Sequence, residues 1–193
     1  MLKKNTQLIG YVLTAMFIVT GLWQISQGIY IHAKALLAQE LLEQAWTQTL
    51  EGKQRVTPWS WADTWPVARL QVPRLNVDLV VLAGDSGRTL AFGPGHNFAS
   101  ASPGEMGNAF VSGHRDTHFR FLKYLHNGDY VFVETAQGQR IRYVVNQMSI
   151  VNENEAYLSV DETSARLSLI TCYPFDGIVP GPSQRYVVSA VKI

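Results

Sequence analysis

Residues 166–175 of this chain read RLSLITCYPF, a β-type run that ends at the only cysteine. Short apolar runs of about 4–8 residues bounded by turn residues are typical of strands. Pro174 prevents the strand from continuing, because proline has no backbone N–H to donate to a neighbouring strand. A strand end beside a loop holds a side chain firmly from behind and leaves it open in front. Cys172 is therefore the first candidate for a functional side chain.

Similar short runs fill the chain after residue 66, with turn residues between them. Short turns at residues 73–76 and 136–138 favour antiparallel neighbours. Many strands with few helices predict an all-β domain that closes into a barrel, because closure removes exposed strand edges. The predicted strands are 67–72, 77–82, 109–112, 130–134, 139–150, 166–171 and 186–192, and the predicted brief helices are 119–125 and 153–158.

The N-terminal part of the chain has the composition of a membrane segment. Residues 5–31 contain no charged side chain, and the apolar run of residues 8–31 exceeds the roughly 20 residues that a helix needs to cross a bilayer. Lys3 and Lys4 precede it, so we expect a cytoplasmic N-terminus and an exported domain. A cleavable secretory signal is the alternative, since Ala-Lys-Ala at 33–35 resembles a small-x-small cleavage site. Both interpretations export the domain.

A connecting region follows the apolar segment. Residues 33–50 have apolar side chains at helical spacing, which predicts an amphipathic helix that docks on its own domain or lies on the membrane surface. Residues 51–65 mix Gly, Pro and three tryptophans and predict an irregular wrap. The expected organisation is a transmembrane segment at 1–32, this helix and wrap at 33–65, and an all-β domain at 66–193.

Composition excludes some partners and makes the thiol informative. The 16 Lys and Arg residues nearly balance the 15 Asp and Glu residues, so no basic field favours binding to nucleic acid. One cysteine cannot close an internal disulfide, and an exported free thiol is either functional or a buried, inert side chain. No cofactor is expected, and no metal site either, because the candidate acidic residues Glu153, Glu155, Asp161 and Glu162 are scattered.

Two further residues are candidates to act with the thiol. His114 follows a second predicted strand, in AFVSGHRD at 109–116, and an imidazole with a pKa of about 6.5 exchanges protons with a thiol or an amine. Arg185 opens the last strand, where a guanidinium can stabilise a thiolate and an oxyanion. The alternatives are a histidine bonded to backbone or Asp116, and a surface arginine. The other histidines are predicted to be surface or loop residues: His32, His96, His118 and His126.

Several motifs together resemble the sortase family. They are GHRD at 113–116, FRFLKYLHNGD at 119–129, LITC at 169–172 and Arg185, with PVARL at 66–70 and GPGH at 93–96 also fitting. The resemblance covers residues 66–193 and implies a closed, eight-stranded sortase β-barrel. TCYPF at 171–175 is similar to class GN sortases of Gram-negative bacteria, which implies an inner-membrane anchor and a periplasmic domain.

The resemblance also implies the chemistry and the partners. Cys172 would form a thioester after the Thr of an LPxTG-like signal on a protein substrate. His114 would protonate the leaving amine and deprotonate an incoming amine acceptor, and Arg185 would hold the oxyanion or the substrate backbone.

The loop at 173–184 is expected to form one wall of the substrate groove. Its candidate substrate-binding residues are Tyr173, Phe175, Ile178 and Val179. Packing of these side chains onto the barrel rim is the alternative.

Two other functions stay open at this point, namely a thiol hydrolase of the same fold and a non-catalytic barrel that binds an envelope partner.

Overall fold

The computed structural model describes residues 2–153, 164–177 and 181–193, with side chains described from residue 10 onward. The chain divides into two compact units, one up to Glu40 and one from Leu41 to the C-terminus. A single helix, α1 (Leu2–Leu50), replaces the two helices predicted from sequence. It runs on because no Gly or Pro interrupts residues 29–50. From Gly10 onward this helix is long and apolar enough to cross a membrane, a test that a signal sequence also passes.

Eight strands of the second unit form a closed barrel, which confirms the predicted fold. Their order around the barrel is β1-β2-β3-β4-β7-β8-β6-β5, and β5 pairs with β1 to close it. The strands are β1 (Pro66–Val72), β2 (Val77–Ala83), β3 (Gly95–His96), β4 (Gly107–Ser112), β5 (Tyr130–Thr135), β6 (Arg140–Asn152), β7 (Ala165–Tyr173) and β8 (Gln184–Lys192).

Short helices connect some of the strands. A 3-10 turn at Pro73–Leu75 joins β1 to β2, and α2 (Gly87–Leu90) precedes β3. The helix predicted at 119–125 is confirmed as a 3-10 helix at Arg120–Tyr124. Of the helix predicted at 153–158, only Glu153 lies within the described residues.

Strand direction determines which residues meet at each end of the barrel. β4 runs parallel to β7, and β3 runs parallel to β2, whereas the other neighbouring pairs are antiparallel. β8 lies antiparallel between β7 and β6. The C-terminal ends of β4 and β7 and the N-terminal end of β8 therefore lie at the same end of the barrel.

Alternation of apolar side chains along the strands fills the barrel interior. In β1, every second residue is buried, from Pro66 to Val72, as expected for a strand with one face toward a core. The largest fully buried side chains of this interior include Tyr143, Phe119, Leu70, Leu122, Leu167 and Leu169. This packing makes the strand ends a rigid support for the side chains that follow them.

The last ten residues of α1 belong to the barrel unit and pack on its outer face. Leu42 and Trp46 form a buried cluster with Val80 and Leu82 of β2. These contacts confirm, for residues 41–50, the interpretation of a helix docked on its own domain. Among the hydrogen bonds beside this cluster, Arg69 donates from Nη1 to Glu43 Oε2 at 2.6 Å.

Candidate active site

The ends of β4 and β7 bring His114 beside the cysteine strand. Ser112, the last residue of β4, is in register with Ile170 of β7, and the Gly113 N–H donates to the Ile170 carbonyl at 3.0 Å. The Thr171 hydroxyl, itself buried, donates to the Gly113 carbonyl at 2.7 Å. Gly113 is therefore hydrogen-bonded through both its N–H and its carbonyl to β7, the strand that carries Cys172. His114 is the next residue along the chain.

A close approach of backbone and ring fixes the turn that carries the imidazole. A methyl group at residue 113 would lie 2.7 Å from the ring of Phe119, so only glycine fits there without a shift. The His114 carbonyl accepts from the Phe119 N–H at 3.0 Å, and the Phe119 side chain is fully buried. The histidine thus stands on a short turn anchored to the core.

Arg185 is the direct partner of Cys172 in the β7–β8 ladder. Its guanidinium Nη2 lies 2.8 Å from Oε2 of Glu153, the residue that follows β6. Nη1 donates to the Pro182 carbonyl, and to the Gln184 carbonyl at 3.1 Å. Opposite residues of an antiparallel pair point to the same face of the sheet. The register therefore puts a thiol and a cation on one face of the barrel wall.

The structure brings the three predicted catalytic residues to one end of the barrel. His114 is exposed, and Cys172 is half-buried with a free thiol. The Arg185 side chain retains 21% of its exposure. A thiol, an imidazole and a guanidinium in one region can supply a nucleophile, a proton carrier and an oxyanion partner.

Tyr173 and Phe175, which follow Cys172, form an aromatic cluster with Tyr186 of β8. Phe175 meets Tyr186 edge to face at 5.2 Å between ring centroids. Tyr173 lies 6.2 Å from each of the other two rings. Phe175 and Tyr186 also pack against the barrel core. Ile178 and Val179, the other two candidate substrate-binding residues, lie outside the described residues.

The remaining histidines are not equivalent. The prediction of a surface or loop position is wrong for His96, which lies in β3 with 7% exposure. Its Nε2 is 2.8 Å from the Ala101 carbonyl oxygen. Two-residue strands such as β3 leave no periodic pattern in sequence, which explains the error. Burial, together with the nearby charge of His114, lowers the pKa of His118 below its ordinary value.

Three residues of this region were missed from sequence. Thr171 links the cysteine strand to the segment before His114, Glu153 pairs with Arg185, and Arg115 donates to the loop after the cysteine. Their partners lie far away along the chain, and two of the three bind backbone carbonyls. The signals that could have singled out Thr171 and Arg115 are their places in the motifs LITC at 169–172 and GHRD at 113–116, next to Cys172 and His114.

Comparison with known proteins identifies the family of this chain. The family model of the sortase domain matches residues 70–193. The chain belongs to the sortase family. Sortase D of Bacillus subtilis (strain 168) is 29% identical over 124 residues, which are 64% of this chain and 62% of that protein. The match thus spans less than two thirds of this relative's length.

Solved sortase structures share the fold. Sortase C-1 from Actinomyces oris superimposes with a TM-score of 0.59 at 31% identity, covering 66% of this chain and 74% of the other. The sortase D5 transpeptidase from Clostridium perfringens gives a TM-score of 0.63 at 22% identity, over 81% and 98% of the two chains. Sortase C from the same organism, solved with the C-terminal cell wall sorting motif, gives 0.61 at 20% identity, over 83% and 89%.

The predicted family and the predicted eight-stranded sortase barrel are therefore both confirmed. The similarity of residues 171–175 to class GN sortases stays a prediction, as do the catalytic roles of the three residues at the barrel end.

Proposed function

We propose that this sortase is a membrane-anchored cysteine transpeptidase, which cleaves an LPxTG-like sorting signal and transfers the acyl part to an amine. The observation that carries the proposal is the register pairing of Cys172 with Arg185, at the barrel end where β4 leads into His114. Family membership supports the same reaction type.

Acylation is the first step. The Cys172 thiolate attacks the carbonyl carbon of the signal's Thr, and the new C–S bond leaves a negative charge on the carbonyl oxygen. Arg185 donates to this oxyanion, as an always-charged planar donor is suited to do. When the intermediate collapses, the peptide C–N bond breaks, and protonated His114 gives its proton to the leaving amine. The product is a thioester on Cys172.

Transfer is the second step and reverses these roles. An incoming primary amine attacks the thioester carbonyl while neutral His114 removes a proton from the amine. Collapse of the second intermediate breaks the C–S bond and regenerates the Cys172 thiolate. Water in place of the amine would give hydrolysis, and the acceptor therefore decides which product forms.

The substrate class is a protein with a sorting signal. Sortase C from Clostridium perfringens is known with the C-terminal cell wall sorting motif, and we extend this kind of ligand to the present chain. Tyr173 and Phe175 are proposed to contact the Leu-Pro part of the signal together with Ile178 and Val179, since apolar side chains beside a nucleophile suit such residues.

We further propose a single-pass anchor in the inner membrane and a periplasmic barrel. The apolar stretch of α1 and Lys3 and Lys4 before it support this orientation. Residues 1–32 would form the anchor, 33–65 the connection and 66–193 the catalytic barrel. Cys172 is the only cysteine, so a membrane-impermeant maleimide should label intact spheroplasts that express the protein. Labelling only after lysis would contradict the periplasmic placement.

The activity is tested with an LPxTG-like peptide and the full chain in detergent micelles. We expect a covalent acyl-enzyme by mass spectrometry, hydrolysed product without amine, and a ligated product when a glycine peptide is added. Cys172→Ala should form none of these, because no other side chain here supplies the thioester. Cleavage by Cys172→Ala would refute the mechanism, and hydrolysis that amine never diverts would assign a hydrolase instead.

A further inference from the structure

Arg115 is a buried cation that the proposed reaction steps do not use. Its side chain keeps only 8% of its exposure. Nη1 donates to the Pro174 carbonyl at 2.7 Å, and Nη2 donates to the Gly177 carbonyl. Its Nε is 3.4 Å from the carboxylate of Asp116, which is 71% exposed. Burying a guanidinium carries a desolvation cost that its hydrogen bonds must offset.

The position of this side chain in the fold connects the two halves of the site. Arg115 directly follows His114, whereas Pro174 and Gly177 belong to the loop that follows Cys172. One guanidinium therefore joins the segment of the imidazole to the segment of the thiol. On the other side of the two residues, Thr171 donates to Gly113 at 2.7 Å. The residues just before His114 and Cys172 are thus hydrogen-bonded to each other, and the residue just after His114 is hydrogen-bonded to the loop after Cys172.

The loop is shaped to receive the guanidinium. The Gly177 N–H donates to the Pro174 carbonyl at 3.2 Å, closing a turn. A methyl group at residue 177 would lie 2.7 Å from Arg115 Nη1 and 3.2 Å from the Pro174 oxygen. Glycine at 177 therefore permits the close approach. Arg115 also lines a small polar cavity of about 270 Å³, shared with Phe175, Asp176 and the exposed Arg120.

We propose that Arg115 is a positioning residue of this sortase, whose forked guanidinium fixes the loop after Cys172 against the turn of His114. The proposal rests on the proposed function. Two carbonyls of one turn are reached by one rigid planar group, a geometry that a lysine ammonium does not reproduce. Thiol and imidazole must be aligned for proton transfer, and a displacement of about 1 Å can cost about 10²-fold in rate.

The test compares Arg115→Met, Arg115→Lys and Gly177→Ala in the full chain in micelles, with Arg120→Met as matched control. Arg120→Met removes a guanidinium from the same cavity without touching the two carbonyls. Active sites are counted as the folded fraction by circular dichroism, and kcat and KM are measured per folded molecule. We expect kcat to fall by about 10-fold or more in Arg115→Met and Gly177→Ala. KM should change by less than about threefold, Arg115→Lys should be intermediate, and Arg120→Met should stay within about twofold of wild type.

A purely structural arginine would lower the melting temperature and the number of active sites but leave kcat per site unchanged. That outcome, or an equal loss in Arg120→Met, would overturn the proposal. If Arg115→Met shows no cooperative melting, Gly177→Ala and Arg115→Lys decide in the same way.

The rate of alkylation of Cys172 tests the role of Arg115 independently of the proposed function. If the wild type cleaves no sorting peptide, the proposed function fails, and the rate of iodoacetamide alkylation of Cys172 then decides about Arg115. A change of about fivefold or more in Arg115→Met, absent in Arg120→Met, would support positioning of the thiol. An unchanged rate would overturn it.

Discussion

Cys172 and Arg185 are direct partners across the β7–β8 ladder, close to the point where β7 ends and β8 begins. Directly opposite residues of an antiparallel pair have their Cβ atoms about 4.5–5.5 Å apart. Strand pairing thus fixes the separation of the two Cβ atoms, and the contacts of the guanidinium with Glu153, Pro182 and Gln184 hold the positive charge in place. His114 joins them through the parallel pairing of β4 with β7. Each candidate catalytic residue is consequently supported by a different strand of one rigid wall.

Replacing the imidazole should separate proton transfer from thiol chemistry. We expect His114→Ala to lower single-turnover cleavage of an LPxTG-like peptide by about 10²-fold or more, the usual effect of losing general acid–base help. Slow alkylation of Cys172 should persist, because the thiol remains accessible. His126→Ala removes another exposed imidazole and serves as the control. Equal rates for the two variants would remove His114 from the mechanism.

Replacing the tryptophan at the helix–barrel contact should reduce stability. Trp46 keeps 2% of its exposure and packs with Leu42, Val80 and Leu82. Trp46→Ala should lower the free energy of unfolding by about 3–5 kcal/mol, as for other large-to-small changes in a core. Urea unfolding followed by circular dichroism measures this loss.

The matched control for this change is Trp61→Ala. Trp61 is 75% exposed, and we expect a loss of at most about 1 kcal/mol, since surface substitutions have small effects. Similar losses in the two variants would contradict the docking of residues 41–50 on the barrel as a source of stability.

Much of the barrel could be predicted from sequence, because a strand with one buried face has an apolar residue at every second position. β1 is an example, since its alternating residues are buried in turn and it lies within one residue of its predicted bounds. β3 was missed, because two residues cannot show a period. The start of β4 was missed for another reason. Gly107 has a φ of +104°, and its glycine character favours a turn in sequence.

The candidate site was predictable only in part. Cys172, His114 and Arg185 follow or open strands and match family motifs, so sequence singles them out. The contacts of Arg115 and Thr171 depend on which backbone carbonyls the fold brings near them. Hydrogen bonds to distant backbone carbonyls carry no sequence signature, because every residue, proline included, offers the same carbonyl acceptor. Their roles therefore emerge only from the structure.

Stability should depend on pH through His118. Burial and the charge of His114 lower the pKa of His118 in the folded state, while the unfolded value is about 6.5. The unfolded state therefore binds the proton more readily, so stability should decrease as pH falls below about 6.5 and level off below the lowered folded pKa. His118→Asn should remove this part of the acid sensitivity in urea midpoints measured between about pH 7.5 and 5. A variant with the wild-type pH dependence would contradict the assignment.

Replacing Arg185 should reveal whether its charge or its planar shape matters for catalysis. Arg185→Ala should lower kcat by about 10²–10³-fold, the usual effect of losing one oxyanion donor in a preorganised site. Arg185→Lys should not restore full activity, because an ammonium keeps the charge and loses the planar fork. Single-turnover cleavage of the sorting peptide measures both effects, and circular dichroism checks that the barrel is intact.

The control for this prediction is Glu153→Gln, which removes the ionic partner of the guanidinium while its carbonyl contacts to Pro182 and Gln184 remain. Glu153 is 60% exposed, and ion pairs at such sites contribute about 0–1 kcal/mol. Turnover in Glu153→Gln should therefore stay within about fivefold of wild type. If Arg185→Ala lost no more activity than Glu153→Gln, the arginine would have no role in stabilising the oxyanion. Full rescue by Arg185→Lys would leave the charge as its only contribution.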